Sequence, residues 1–434
     1  MYSTNKIGII ADDLTGANDT ALQFFIRGCN TQILLDYENF SLPQTLTQAW
    51  AIPTESRNIK PDAAVEKVKN ATRAFLENIS VEYFYKKIDS TMRGNVARET
   101  LAMLETIEWD ASVILPAYPL EGRITVGGYH LLKGMPIQRT ELACDPHSPI
   151  CESHIPSILK HQLGEDCTHL VGSIPLDTVM KGAGPILMAL NDLIKEGKKL
   201  IVVDAVSVVD VDQAVLAINK SNYKILPCGS AGLAQSLANV WLADIPDMDI
   251  TNTLPKIPKL IISGSATQLT ASQIRKLHDD YDRDNIFTIP VMAEDVLTNN
   301  ICEVVERALP NLIKDNTVII HTSDIIRDKA AFSHYLFENE ISESEFVNKI
   351  VDFLAIVARE LVDKKEVILI TIGGETSYKC ANAIDSQNLQ VIDAITGAIP
   401  LCLDHKAQLL VTKSGNIGNI GTLIEILNYF EQHD

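Results

Sequence analysis

The chain has 434 residues and 46% of them are apolar, enough for two or three cores at about 150 residues per domain. No apolar run reaches the ~20 residues of a membrane span, the first residues have no signal-peptide layout, and a net charge of −19 argues against nucleic acid or an anionic membrane as the main partner. The eight cysteines have no zinc-site spacing and the ten histidines include no HExxH pair, so a cytoplasmic enzyme or binding protein with reduced thiols and no zinc is expected.

In chain order, residues 7–11 form a short apolar run rich in β-branched residues, as a buried parallel strand should. Asp12 and Asp13 follow at once, then Thr15, Gly16 and a helical pattern over 17–26. A strand, an acidic turn and a helix start make a ligand-binding corner of an α/β sheet; the competing reading is that the two aspartates only cap the helix. Residues 31–36 and 48–52 predict strands, the second running into Thr54, Glu55, Ser56 and Arg57. Residues 61–78 predict a helix and 83–88 a strand, which leads into Asp89, Ser90, Thr91, Met92, Arg93 and Gly94. A helix at 96–106 and a strand at 111–115 complete a repeated phrase of strand, polar turn and helix. In a parallel sheet these turns share one edge, so Asp12, Asp13, Arg57, Lys87, Asp89 and Arg93 should converge.

Residues 116–149 are rich in Gly and Pro without clean periodicity, and predict an ordered site loop holding a hairpin, 123–129 against a strand near Leu131. Strands are expected at 168–171, 200–204 and 224–226, with a helix at 233–242. Residues 244–259, rich in Pro, Asp and Thr, read as a linker between domains 1–243 and 260–434. The phrase then restarts. Strands are expected at 260–262, 286–291, 317–321, 367–372, 389–392 and 409–412, and helices at 268–278 and 342–361. Three turns in this half bear glycine: Ser263-Gly264-Ser265-Ala266-Thr267, Gly373-Gly374-Glu375-Thr376-Ser377 and Lys413-Ser414-Gly415-Asn416-Ile417-Gly418-Asn419. Glycine lets backbone N–H groups approach an anion, and a following helix N-terminus favours negative charge. Each turn alone is more often just geometry, but three in one domain point to a phosphate or nucleotide site. Neither a Walker motif nor GxGxxG is present.

Taken together, the motifs resemble the four-carbon acid sugar kinase family. They are ADDLTGANDTA (11–21), TESR (54–57), KKIDSTMRGN (86–95), LPAYPLEGRITVGGYHLLKGMPI (115–137) and TELACDPHSPI (140–150), then CGSAGLA, SGSAT, GGETS and KSGNIGN, in order over nearly the whole length. One departure stands in the last motif, where relatives often have Gly-Phe-Gly and this chain has Asn416-Ile417-Gly418. The resemblance implies an α/β protein of two domains, each a mostly parallel sheet flanked by helices, with the active site in the cleft between them. The first domain would bind the sugar acid and the second ATP, with Mg²⁺ and transfer of the γ-phosphoryl to the C4 hydroxyl. The opening motif favours D-threonate or D-erythronate over 3-oxo-tetronate.

In that scheme Arg57, Lys87 and Arg93 are candidates to hold the substrate carboxylate. Asp12, Asp13, Asp89 and Ser90 would line the same subsite, with Asp12 as candidate base and Asp89 and Asp13 as rivals. An alternative for Arg93 is a salt bridge to Asp89, four residues away. Ser263, Ser265, Gly373, Gly374, Glu375, Thr376, Gly415 and Gly418 would face the nucleotide. The metal ligands have no assignment, and a homodimer is compatible with the reading. The competing classes are a haloacid-dehalogenase-like phosphatase, whose Asp-x-Asp is not matched by Asp12-Asp13-Leu14-Thr15, and a non-catalytic sugar-acid binding protein.

Overall fold

The computed structural model describes residues 6–38, 47–144, 148–243, 254–280, 285–325 and 329–433. The chain divides into two compact units, Met1–Met248 and Asp249–Asp434.

The first unit is built on eight parallel strands: β1 (Ile7–Ala11), β2 (Thr31–Leu34), β3 (Ala49–Pro53), β4 (Tyr83–Lys87), β5 (Ala111–Leu115), then, beyond the hairpin described below, β9 (Val171–Ile174), β10 (Leu200–Val203) and β11 (Ile225–Gly229). Their order is β2-β3-β1-β4-β11-β5-β10-β9. The chain leaves β1 towards β3 and returns to its other side as β4, which makes β1 a topological switch point, where α/β sheets bind ligands. Both faces of the sheet are covered. Ile10, Ile52 and Phe84 pack under Val68, Phe75 and Met103 of the helices Pro61–Asn78 and Val96–Thr106. Alternation turns Ile7 and Ile9 to the other face, where the helices Leu14–Ile26 and Ala231–Trp241 pack together.

Residues 123–136 form a small antiparallel sheet of β6 (Arg123–Val126), β7 (Tyr129–Leu132) and β8 (Met135–Pro136). The Asp204 carboxylate, just past β10, clamps its tip by accepting the N–H groups of Gly127 (2.6 Å) and Gly128 (2.9 Å), together with that of Leu176 (3.1 Å).

Two strand expectations are corrected here. Residues 165–170 form a 3₁₀ turn after Gly164, and the strand begins at Val171, whose register is set by pairing with Leu200. The strand expected at 224–226 continues to Gly229 through Pro227. Proline lacks the N–H that a central strand needs, but β11 pairs with β4 only from Cys228 onward.

The second unit has β12 (Lys259–Ser263), β13 (Ile286–Pro290), β14 (Thr317–His321), β15 (Ile368–Ile372), β16 (Asn388–Thr396), β17 (Ile399–Asp404) and β18 (Leu409–Lys413), in the order β13-β14-β12-β15-β18-β17-β16. The first five in that order run parallel, whereas β16, β17 and β18 form an antiparallel meander. The expected strand at 389–392 is the middle of a hairpin arm, and β17 was not anticipated. Residues 244–253 of the expected linker lie outside the described residues. Its end does not behave as linker: Leu254 is buried in the second unit's core, and its N–H reaches the His433 carbonyl at 3.0 Å.

Candidate active site

Three loops at the carboxyl ends of β1, β3 and β4 meet through charge. Arg57 donates from Nε to Asp12 Oδ2 (2.8 Å), from Nη2 to Asp12 Oδ1 (3.0 Å) and from Nη1 to Asp13 Oδ2 (2.7 Å), and Nη2 stands 3.9 Å from Asp89 Oδ1. Asp12 Oδ2 also accepts the Asp89 N–H at 3.2 Å. Arg93 grips Asp89 bidentately, at 2.9 and 3.0 Å, and the Thr91 hydroxyl donates to the same carboxylate. Burial opposes charge on Asp89, but Arg93 and Arg57 outweigh it and hold the carboxyl well below its usual range.

The expectation that these six residues converge is met, but the arginines are not open forks for a substrate. Arg57 is spent on Asp12 and Asp13, and Arg93 on Asp89. Both oxygens of Asp12 are likewise engaged by Arg57, which leaves the expected base an ion-pair partner first. Asp13 caps the helix Leu14–Ile26: Oδ1 accepts the Gly16 N–H at 2.8 Å and Oδ2 the Thr15 hydroxyl at 2.8 Å. Burial works against its charge as well, but Arg57 and Lys87 prevail and lower its pKa. The open cation is Lys87. It is 4% exposed, and among the described residues its Nζ has no hydrogen bond or ion pair within 4.0 Å. The ammonium lies against Gly16, where a Cβ would stand 2.6 Å from it and equally 2.6 Å from Asp13 Oδ1. Only glycine permits that approach.

Several contributors were not named in advance. Glu55, at φ 46, turns back so that Oε1 accepts the Leu14 N–H at 2.7 Å; burial and the neighbouring Asp13 charge push its pKa well up. His130, on β7, is fully buried, bonded at Nε2 to the Ser90 carbonyl (2.8 Å) and at Nδ1 to the Thr125 hydroxyl (2.9 Å). Burial lowers its pKa to about 4, so the ring is neutral near pH 7, donating to Ser90 and accepting from Thr125. Ser90 is thereby placed by its backbone. Asp19, on the helix Leu14–Ile26, has a buried Oδ1 without a partner among the described residues, and burial raises its carboxyl to about 7. It follows Gly16 by three residues, about one helical turn.

In the second unit the three glycine turns follow β12, β15 and β18, which are adjacent strands. Gly373 has φ 113, which only glycine adopts freely, and starts the helix Gly374–Ala383, whose first turn carries Glu375 and Thr376. The Gly373 N–H donates to the Lys413 carbonyl at 2.9 Å. The Gly415 carbonyl accepts from Thr267 Oγ1 (2.9 Å), and Thr270 Oγ1 stands 3.1 Å from that carbonyl and 3.0 Å from Ser265 Oγ, with one proton to give to either. Gln273 secures the far side of the last loop, next to Gly418, through the Asn419 carbonyl at 2.7 Å. Ser263 Oγ is buried without a partner among the described residues. Lys413 is 1% exposed, bonds only the Ser414 carbonyl (3.0 Å) among the described residues and is lowered by burial to about 8. A helix N-terminus, an orphaned hydroxyl and a cation with no acidic partner suit a phosphate chain.

Among the described residues no group of three His, Cys, Asp or Glu is arranged to hold a metal, and no helix is long and apolar enough to cross a membrane.

This pairing of a neutralised polar corner with a phosphate-type edge is that of a sugar-acid kinase. Residues 7–237 match the model of a sugar-binding N-terminal domain and residues 260–423 that of a nucleotide-binding C-terminal domain. The chain is 30% identical to a D-erythronate kinase of Heliobacterium modesticaldum, over 98% of its own length and 97% of the relative's. It is 28% identical to a D-threonate kinase of Salmonella typhimurium (98% and 99%) and 25% identical to that organism's 3-oxo-tetronate kinase (98% and 99%). A crystal structure of a Haemophilus influenzae protein, HI1011, shares the fold with a TM-score of 0.70 at 24% identity, covering 98% of this chain and 100% of that one. The chain belongs to the four-carbon acid sugar kinase family.

Proposed function

We propose that the protein phosphorylates the C4 hydroxyl of D-threonate or D-erythronate with ATP. The observation that carries this is the Lys87 ammonium, without hydrogen bond or ion pair among the described residues, in a corner where Asp12, Asp13 and Asp89 are already paired with Arg57 and Arg93. A small monoanion bearing hydroxyls fits such a corner: its carboxylate takes Lys87, and its hydroxyls find the outer lone pairs of Asp12 and Asp89 and the Ser90 side chain. Arg57 and Arg93 hold those carboxylates in place and remove the repulsion that would otherwise separate them.

The nucleotide would lie along Ser263, Ser265, the turn Gly373 to Thr376 and the loop from Lys413 to Gly418. There the orphaned Ser263 hydroxyl gains a partner and Lys413 offsets phosphate charge. Mg²⁺ would supply further neutralisation of the phosphates. The higher identities to erythronate and threonate kinases, 30% and 28% against 25%, favour those acids over 3-oxo-tetronate.

The test is ADP release coupled to NADH oxidation, with Mg²⁺, across D-threonate, D-erythronate and 3-oxo-tetronate, with the phosphorylated carbon assigned by ³¹P–¹H NMR. Turnover of one of the first two, with phosphate on C4, is expected. Folded, ATP-binding protein that turns over none of the three refutes the proposal.

A further inference from the structure

We infer that Asp19, rather than a member of the Arg57 network, accepts the hydroxyl proton during transfer, and that it does so as a catalytic residue on the helix Leu14–Ile26. The inference rests on the kinase reading above.

The other carboxylates of the corner are already engaged. Asp12 is bound at both oxygens by Arg57, Asp13 caps its helix and pairs with Arg57, and Asp89 is held by Arg93 and Thr91. A carboxylate clasped by a guanidinium gains little from taking a proton. Asp19 differs in its bonding: Oδ1 is shut from water and has no hydrogen-bond donor, while the residue as a whole keeps part of its surface open. An orphaned buried acceptor is costly unless something completes it. A substrate hydroxyl would.

Its place in the fold is also suitable. Asp19 lies one helical turn beyond Gly16, the residue against which the Lys87 ammonium rests. The charges that act on it are Lys87 on β4, Asp13 at the start of its own helix, and Glu121 and Arg123 around the start of β6. It also acts on the phenols of Tyr85 and Tyr118. Of the strands and helix packed on the Leu14–Ile26 helix, β4 carries Lys86 and Lys87, whereas β1, β2, β3 and Ala231–Trp241 carry no charged side chain. Asp19 thus feels both the cation proposed for the substrate carboxylate and the charges around the start of β6. Burial sets its carboxyl to about 7, against the pull of Lys87 and Arg123. A group poised there is half ionised at neutral pH and basic enough to receive a proton. Once a substrate carboxylate occupies Lys87, the lowering influence of that ammonium weakens and Asp19 becomes more basic.

The balance is simple. The C4 oxygen forms a bond to the γ-phosphorus as the bond from that phosphorus to the β–γ bridging oxygen breaks. The electron pair leaves with ADP, and the C4 hydroxyl proton passes to Asp19 and from there to solvent.

The experiment compares wild type, Asp19→Asn, Asp19→Glu and Asp12→Asn by three readouts. These are calorimetric binding of the sugar acid, the pH profile of kcat/KM, and ¹³C NMR titration of the aspartate carboxyls. In wild type an acidic limb near pH 7 and a carboxyl resonance titrating there are expected. In Asp19→Asn both disappear and kcat falls about 10²–10⁴-fold, while sugar-acid binding stays within about threefold. Asp19→Glu keeps an acidic limb at a shifted pH with intermediate kcat, which separates proton transfer from a folding defect. Near-wild-type kcat in Asp19→Asn, or a limb lost in Asp12→Asn and kept in Asp19→Asn, overturns the inference and returns the role to Asp12. A carboxyl titrating near 7 in a protein with no turnover would instead sink the kinase reading.

Discussion

Replacing Gly16 by alanine separates the two tasks of the first helix turn. The new Cβ would stand 2.6 Å from both Lys87 Nζ and Asp13 Oδ1, where ordinary contact begins at 3.4 Å, so each must retreat by about 0.8 Å. For Asp13 this strains a helix cap worth about 1 kcal/mol, while alanine returns up to about 1 kcal/mol of helix propensity over glycine. Stability should therefore change by no more than about 1 kcal/mol, or roughly 2–4 °C in Tm. The ammonium has no such compensation. Moving it 0.8 Å stretches a hydrogen bond of about 2.9 Å past the useful limit, and a charge-assisted bond contributes about 1.5–3 kcal/mol. At 1.4 kcal/mol per decade, KM for the sugar acid should rise about 10- to 150-fold, with KM for ATP unchanged. Steady-state kinetics with each substrate varied in turn, alongside a thermal melt, measures all three. A sugar-acid KM within twofold of wild type would refute the assignment of Lys87 as the carboxylate's partner.

Lys413→Met should weaken nucleotide binding about tenfold, and in wild type KM for ATP should climb as pH rises through about 8, where the ammonium is lost. Burial depresses this lysine below its unfolded value, so the folded state binds fewer protons between the two values, and stability rises with pH across that window. Denaturant midpoints of the methionine variant should lose this rise and lie above wild type at neutral pH. His130→Gln addresses the acid side. Its folded pKa of about 4 lies below the ordinary 6.5. Its contribution is complete above 6.5 and is lost as pH falls towards 4. Urea titrations between pH 7 and 4.5 should show a steeper loss of stability in wild type than in the variant.

The strand-turn-helix phrase of the first 115 residues was readable because buried parallel strands announce themselves as β-branched runs ended by polar turns. The convergence of Asp12, Arg57, Lys87 and Asp89 followed from that phrase, since every such turn opens on the same edge. Who pairs with whom did not follow. Arg57 and Lys87 are equal cations in the sequence, and only packing decides that one is clasped by Asp12 and Asp13 while the other rests against Gly16. Nothing in the run 11–21 marks Asp19, because a carboxylate on a helix normally faces water and the burial of its Oδ1 is a property of the neighbours. The β16–β17 hairpin was missed for a related reason: its turn at Gly397 separates arms with a bulged register, and the break in alternation hides the pairing.

The Arg57 network also bears on how the first unit comes together. Its partners are far apart in the chain: Arg57 meets Asp12 across 45 residues, and the Asp89 amide meets Asp12 across 77. Closing loops of such length is paid in entropy before any contact forms, and a guanidinium among three carboxylates is rewarding only once all are in place. The network therefore closes after β1, β3 and β4 have aligned, and behaves as a latch rather than a nucleus. Interactions of this kind slow the opening of a finished domain and do little for its rate of formation. The corner that would receive the sugar acid is in this way also what keeps the sheet's central edge from fraying.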